Sequence, residues 1–162
     1  MEAKHMNDAR KIDYRLRRQS SKKWRSLLSA MAKVLVSQTD SNNTKAAFKA
    51  IGITFAGIVQ LSPSKTIEET QQAICNVWEE MDWGTVLLEE HGDTLRIVHH
   101  SLDNGRLLID AFNGSTEFWA AAFLEGVYQK WLGDMSVSTH LNVKQISEVD
   151  EFGSVEYELN AA

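Results

Sequence analysis

The segment TVLLEEHGDTLRIVHH, residues 85–100, places two apolar-rich runs on either side of Gly92-Asp93. A Gly-first pair suits a two-residue type II′ hairpin turn. A two-residue loop determines the register, which sets His91 opposite Thr94 and pairs the remaining positions outward from the turn. This segment predicts an antiparallel β-hairpin with apolar cover on both faces. The predicted pairs are Glu90–Leu95, Glu89–Arg96, Leu88–Ile97 and Leu87–Val98.

Two amphipathic helices are predicted before the hairpin. From Ser20 onward, apolar residues recur at helical spacing as far as Leu35. The second amphipathic helix, Thr66–Met81, begins with a capping box formed by Thr66 and Glu69. The run Gln38–Thr44 is rich in turn formers and predicts a linker.

Between these two lies a helix predicted over Thr44–Leu61 that is apolar nearly all round. A helix of this kind must be covered on more than one side. Gly52 and Gly57 would let another backbone approach it closely. We therefore expect part of this helix to lie in a subunit interface.

A fourth helix is predicted at Thr116–Leu132, with Ser115 or Thr116 as its cap and Gly133 as its C′ residue. It too has a wide apolar surface. The expected oligomer-interface residues on the two apolar helices are Phe48, Ile51, Phe55, Ile58, Phe123, Val127 and Trp131.

The remaining segments complete an α+β fold. Asp103–Ser115 is predicted to be a loop that includes a possible short strand at Arg106–Phe112, and Ser136–Lys144 and Val155–Leu159 are predicted strands. The expected architecture is N-terminal helices plus a further helix, packed on a small antiparallel sheet that contains the hairpin Thr85–His100.

Length and charge indicate one domain with a basic extension. The chain has 162 residues, 43% of them apolar and 24% charged, which is ordinary globular composition. Residues 1–25 carry a net charge of +6 and the remaining residues −11. We expect residues 1–18 to be a mobile basic N-terminal arm and residues 19–162 to be a single α+β domain. Such an arm could bind nucleic acid, an anionic membrane surface or a neighbouring subunit, or be a solvated chain end.

Several classes of protein are disfavoured. The single cysteine, Cys75, excludes an internal disulfide and cysteine-rich metal sites. The longest apolar stretch, Ala46–Leu61, is shorter than the ~20 residues of a membrane span. The first 25 residues contain no apolar signal region. We expect a cytoplasmic protein without a membrane span.

The sequence contains no convincing catalytic, cofactor or metal site. Gly-rich phosphate loops and the G-x-S-x-G elbow are absent. Neighbouring side chains of a strand point to opposite faces, so His99 and His100 cannot hold one metal ion together. Glu79-Glu80 and Glu89-Glu90 are interpreted as solvated or cross-strand ion-paired carboxylates. Most of the five tryptophans lie in or beside apolar stripes, which favours burial over sugar stacking.

Two motifs resemble the family of the D subunit of bacterial cellulose synthase. The segment WGTVLLEEHGDTLRIVHHSLDN, residues 83–104, is similar to that family's W-G-T-V-x-L-E and L-R-I-V-H segments. The segment FLEGVYQKWL, residues 123–132, is similar to its L-E-G-[LV]-Y-x-x-W pattern. The clear likeness covers roughly residues 73–132, while the basic arm departs from the family.

The resemblance implies a non-catalytic accessory subunit of bacterial cellulose synthase. Family members form a ring-like octamer, a tetramer of dimers, which organises synthase complexes and assists ordered glucan-chain export. The implied partners are copies of the chain, other cellulose synthase operon proteins and a β-1,4-glucan chain. Because the first 25 residues contain no signal region, we expect the protein on the cytoplasmic side of the inner membrane, at the synthase complex.

No aligned motif assigns sugar ligands, so the glucan-facing residues are only a hypothesis. We expect Lys22, Lys23, Trp24 and Arg25 to face either glucan or another subunit. The alternative functions are a nucleic-acid or anionic-surface binding module that uses the basic arm, and a small-ligand sensor domain. The acidic body and the lack of an RNA-binding aromatic motif argue against a nucleic-acid partner.

Overall fold

The computed structural model describes residues 30–31, 33–35, 37, 40–81, 83–100, 117–135, 141–150 and 152–161. The described residues between 30 and 37 are helical. The elements that follow are α1 (Ser41–Ile58), α2 (Ile67–Glu80), β1 (Thr85–His91), β2 (Thr94–His100), α3 (Glu117–Met135), β3 (Leu141–Gln145) and β4 (Val155–Ala161). The expected arm, the beginning of the first helix and the loop with its possible strand at Arg106–Phe112 lie outside the described residues.

The four strands form one antiparallel sheet with the order β1-β2-β4-β3. The predicted hairpin is confirmed in its bounds and in every pair, from Thr85 opposite His100 to His91 opposite Thr94. Gly92 has φ of 62°, which a residue with a side chain rarely adopts. The turn therefore depends on glycine at its first position, as the sequence indicated. The predicted α+β class is confirmed.

Helix α1 begins three residues earlier than predicted. The Asp40 carboxylate accepts hydrogen bonds from the Asn43 backbone N–H at 2.9 Å and from the Asn43 amide at 2.6 Å. These bonds cap the helix and hold the pKa of Asp40 below its usual value. The interpretation of Gln38–Thr44 as a linker is therefore wrong from residue 41 onward. The helix ends at Ile58 rather than Leu61.

The predicted cap of α2 is confirmed in one of its two hydrogen bonds. The Thr66 hydroxyl accepts from the Glu69 N–H at 3.1 Å. The Glu69 carboxylate accepts from the Lys65 N–H at 2.7 Å, one residue before the position that a capping box requires. The last two residues before α2 are thus tied to its first turn.

Helices α1 and α3 cross with their backbones in close contact. A Cβ placed on Gly52 would lie 2.0 Å from the Phe123 carbonyl oxygen, and one on Gly126 would lie 2.0 Å from that of Lys49. Because neither glycine has a side chain, the two helix backbones can approach each other this closely. The expected close approach is confirmed at Gly52, but not at Gly57, which has open space around it among the described residues.

Helix α3 also runs past its predicted end. Gly133 lies inside the helix, which continues to Met135, and it does not adopt the left-handed conformation of a C′ residue. The Lys130–Asp134 ion pair at 2.7 Å spans this last turn. The expectation that Gly133 ends the helix is therefore wrong.

Helix side chains bond outward backbone groups at both edges of the sheet. At β1, the Leu88 N–H donates to the Gln71 side chain at 2.8 Å and Val86 bonds Cys75 Sγ through both backbone groups. At β3, the Gln129 side chain bonds the Val143 N–H at 2.8 Å and the Leu141 carbonyl at 2.7 Å. An unpaired edge would invite another strand, so these contacts discourage assembly through the sheet edges.

Candidate functional site

Most of the expected interface residues are buried in the core of the single chain. Phe48, Phe123, Val127 and Trp131 are at most 4% exposed, which leaves no surface there for a partner subunit. Phe55 is half-buried and packs on the core. Ile51 and Ile58 remain at the surface, 42% and 78% exposed. The apolar pattern of α1 is thus explained in large part by α3.

The expected glucan- or subunit-facing residues, Lys22, Lys23, Trp24 and Arg25, lie outside the described residues. Their role stays a prediction.

The second motif, FLEGVYQKWL, is used for packing. The buried Glu125 carboxylate accepts from Lys49 Nζ at 2.7 Å and from the Gln145 N–H at 3.0 Å, which joins α1, α3 and β3. Gly126 admits the α1 backbone. Trp131 donates its indole N–H to the Val59 carbonyl at 2.7 Å. The sequence did not point to the Lys49–Glu125 pair, because these residues are 76 positions apart.

The first motif contributes the buried face of the hairpin and a tryptophan beside it. Val86, Leu88 and Ile97 are buried on the face turned to the helices. Arg96 lies on the outer face, where its guanidinium bonds Glu156 of β4 at 2.6 Å and approaches Glu89 only to 3.9 Å. The bond to Glu156 raises the pKa of Arg96. The predicted Glu89–Arg96 pair is confirmed as a cross-strand neighbour, but Glu156 is the nearer partner.

A chain of buried hydrogen bonds joins the two motifs. His99 Nε2 lies 2.9 Å from the Trp83 carbonyl oxygen, which can only accept, so this nitrogen carries the proton. His99 Nδ1 then accepts from the Tyr128 hydroxyl at 2.6 Å. The Trp78 indole N–H donates to the same hydroxyl at 3.1 Å. The arrangement satisfies each of these polar atoms only when His99 is neutral.

Burial shifts the pKa values of the titratable groups in this chain of hydrogen bonds away from physiological pH. Desolvation lowers the pKa of His99 to about 4 and raises the pKa of Tyr128 above its ordinary value. Burial also raises the pKa of Tyr157, whose hydroxyl donates to the Ala121 carbonyl at 2.8 Å. At neutral pH these groups are uncharged, which suits a structural role better than proton transfer.

Trp78 is the centre of an aromatic cluster that fills the space between helices and sheet. Its ring stacks on Phe55 with centroids 6.0 Å apart and on Trp83 at 5.5 Å. Its ring centroid lies 5.2 Å from that of Trp131 and 5.6 Å from that of His99, whose ring is nearly perpendicular to it. The prediction that most tryptophans are buried is confirmed for Trp78 and Trp131, while Trp83 is half-buried.

The other titratable groups considered in the sequence lie at the surface. Glu79, Glu80, His91 and His100 are exposed. Over the described part of the chain, no group of three or more His, Cys, Asp or Glu side chains is arranged to hold a metal ion. None of the described helices has the length and apolar character needed to cross a membrane.

One side of α1 stands out from the surface described so far. Beyond the residues that contact α3 and the core, the helix exposes an uncharged strip, which we call the outer α1 face. Its members are Ala46, Ala50, Ile51, Ile53, Thr54, Gly57 and Ile58. The sequence pointed to Ile51 and Ile58, but it could not separate them from the buried residues of the same helix.

The fold and the two motifs define a small α+β protein whose motif residues pack in its core, and among the described residues one face of α1 is apolar and exposed. A model of the family of the cellulose synthase D subunit matches residues 10–157 of the chain. The chain belongs to this D-subunit family, an accessory subunit of cellulose synthase rather than the catalytic one. A comparison with curated proteins finds no match.

Proposed function

We propose that this protein is a non-catalytic, self-associating subunit that organises cellulose synthase complexes. In this proposal, copies of the chain form a ring-like octamer, a tetramer of dimers, at the cytoplasmic side of the inner-membrane synthase. The assembly assists the ordered export and crystallisation of glucan chains. The observation that carries the proposal is the family match over residues 10–157, which includes both motifs.

The contacts of the motif residues support a non-catalytic role. Glu125 is held by Lys49 and the Gln145 backbone, and His99 by Tyr128 and Trp83. A general acid or base needs a pKa near the working pH and access to its substrate. His99 has neither property, because it is fully buried and its pKa is lowered to about 4.

Self-association is supported by the outer α1 face. An exposed apolar patch on a soluble protein can serve as a contact site, and homo-oligomers usually form closed symmetric assemblies. We propose that the basic segment with Lys22, Lys23, Trp24 and Arg25 faces either the glucan chain or an adjacent subunit within this assembly. Other proteins of the cellulose synthase operon are the proposed heterologous partners.

Light scattering behind a sizing column tests the assembly. Eight copies of the 18.3-kDa chain have a mass of about 146 kDa. A mass near this value supports the ring, and a monomer at all concentrations contradicts it.

A genetic experiment tests the role itself. A cellulose-producing bacterium that lacks its own D subunit is complemented with this chain, and the amount and order of its fibrils are measured. Recovery of ordered fibrils is expected. Expression of this chain without any recovery of fibril amount or order would contradict the proposal.

A further inference from the structure

The outer α1 face carries no charged side chain, although the chain as a whole is 24% charged. Its isoleucines, Ile51, Ile53 and Ile58, are 42%, 38% and 78% exposed. The lysines of α1 lie to the side of this strip, where Lys49 is engaged by Glu125. A solvated helix face is ordinarily polar, so this strip is not explained by contact with water.

Gly57 adds an independent observation on the same face. Glycine weakens a helix relative to alanine, and Gly57 lies in the last turn of α1, one residue before its end at Ile58. Gly57 is exposed, has no left-handed φ, and would meet nothing within 4 Å if it carried a Cβ. In the same helix, Gly52 leaves room for the backbone of α3. Nothing in the described part of the chain accounts for Gly57 in this way.

We propose that the outer α1 face is the two-fold contact between two copies of this chain, with α1 packed against its symmetry mate and Gly57 at the point of close approach. This inference rests on the proposed self-association and specifies the surface that carries it. It assigns Ile53 as a central contact residue.

The lack of charge favours a second copy over a different partner. In a two-fold contact a residue near the symmetry axis meets its own counterpart, so a charge there would face a like charge. A strip without charges avoids that repulsion at every position. Association through the sheet edges is disfavoured, because the Gln71 and Gln129 side chains already bond outward backbone groups that an added strand would need.

The size of the face fits one contact within a larger ring. The outer α1 face runs from Ala46 to Ile58, about 20 Å of helix, and offers on the order of 200 Å². A standard interface buries about 800 Å² on each partner. A contact of this size alone would be weak, so we expect it to work together with the other contacts of a closed assembly.

Charge substitution at Ile53 tests the contact. Ile53→Glu and Ile53→Lys each place a like-charged pair at the contact, and each variant is expected to lose the wild-type mass in light scattering and form a smaller species. A mixture of the two variants replaces repulsion with attraction. We expect its dissociation constant to be at least about tenfold lower than that of either variant alone.

The controls separate this inference from the proposed function. Circular dichroism confirms that each variant is folded, and Lys130→Glu serves as a surface charge change on α3, away from the outer α1 face. If the wild type assembles and both Ile53 variants keep its mass, the copies associate through another surface and the inference is wrong. A mixture no tighter than either variant also overturns it. A monomeric wild type overturns both the inference and the proposed self-association.

Glycine variants provide a second test that does not disturb folding. Gly57→Ala should strengthen the helix and raise the melting temperature of a dissociated chain, yet weaken association, because the added methyl separates the two helices. Gly133→Ala makes the same change on α3, also without a neighbour within 4 Å, and should leave association unaltered. Equal association of the two variants would contradict close approach at Gly57.

Discussion

Lys49 of α1 and Glu125 of α3 form a 2.7 Å ion pair in which the carboxylate is almost entirely removed from solvent. The Gln145 N–H donates to the second oxygen of the same carboxylate at 3.0 Å. One acidic side chain thus holds a helix on one side and the edge of the sheet on the other. Its neighbour Gly126 lets α1 come close enough for this contact.

Removing the lysine should therefore be costly. Lys49→Met leaves the buried Glu125 carboxylate without its cation, and we expect a loss of about 2–3 kcal/mol in the free energy of unfolding, measured by urea denaturation. The matched control is Lys130→Met. Lys130 pairs with Asp134 at the same 2.7 Å, but both side chains are exposed, so the expected loss is below ~0.5 kcal/mol. Equal losses in the two variants would show that burial of Glu125 does not matter.

Tyr128→Phe should weaken the core without changing its shape. The substitution leaves the Trp78 indole N–H and His99 Nδ1 without a buried partner. We expect a loss of about 2–4 kcal/mol in the free energy of unfolding. Tyr157→Phe is the control, since it removes a single bond to the Ala121 carbonyl and should cost less. The reverse order of these two losses would contradict the description of a continuous hydrogen-bonded chain.

The stability of the protein should fall as the pH drops from about 6.5 to about 4. The pKa of His99 is lowered to about 4 in the folded chain, whereas an unfolded histidine titrates near 6.5. Within this window the unfolded state binds the proton and the folded state does not, so protonation favours unfolding. The loss is on the order of 3 kcal/mol at the lower end.

Denaturation at a series of pH values measures this effect. Carboxylates also titrate at low pH, so the informative quantity is the difference in slope between the wild type and His99→Gln. We expect the variant to be less stable at pH 7 and less sensitive between pH 6.5 and 4. His100→Gln, which alters an exposed neighbour, should keep the wild-type slope. Identical slopes for the wild type and His99→Gln would contradict the buried neutral histidine.

Gly126→Ala should prevent the normal crossing of α1 and α3. The added Cβ would lie 2.0 Å from the Lys49 carbonyl oxygen, and backbone cannot move aside as a flexible side chain can. We expect a loss of at least ~3 kcal/mol, or failure to fold, measured by thermal and urea denaturation. Gly133→Ala is the control. It should stabilise the chain by up to about 1 kcal/mol, because alanine is the better helix former and the added methyl meets nothing.

Prediction from the sequence succeeded where the signal was local. The hairpin register follows from the two-residue turn at Gly92-Asp93, and the N-cap of α2 follows from Thr66. Prediction was less accurate at the start of α1 and the end of α3. There the pattern of apolar residues does not show where capping by Asp40 begins, or that α3 continues past Gly133.

The candidate site was predictable only in part. The apolar character of α1 was evident, and two of its expected interface residues, Ile51 and Ile58, are exposed. The others are buried, and Ile53 was not singled out although it is 38% exposed. When a helix is apolar on every side, its sequence does not show which side the rest of the chain will cover. That choice depends on the contact between Gly52 and α3, which lies more than 60 residues further along the chain.

Local sequence was sufficient to specify the hairpin, the α+β class and the family resemblance that the family match then confirmed. These features depend on residues close together in the chain, or on motifs that can be read in order. Tertiary packing, in contrast, established that His99 meets Tyr128, that Glu125 meets Lys49, and that the outer α1 face stays open. Such contacts form only when elements distant in the chain pack together, because this packing determines which apolar surfaces are buried and which polar atoms become hydrogen-bond partners.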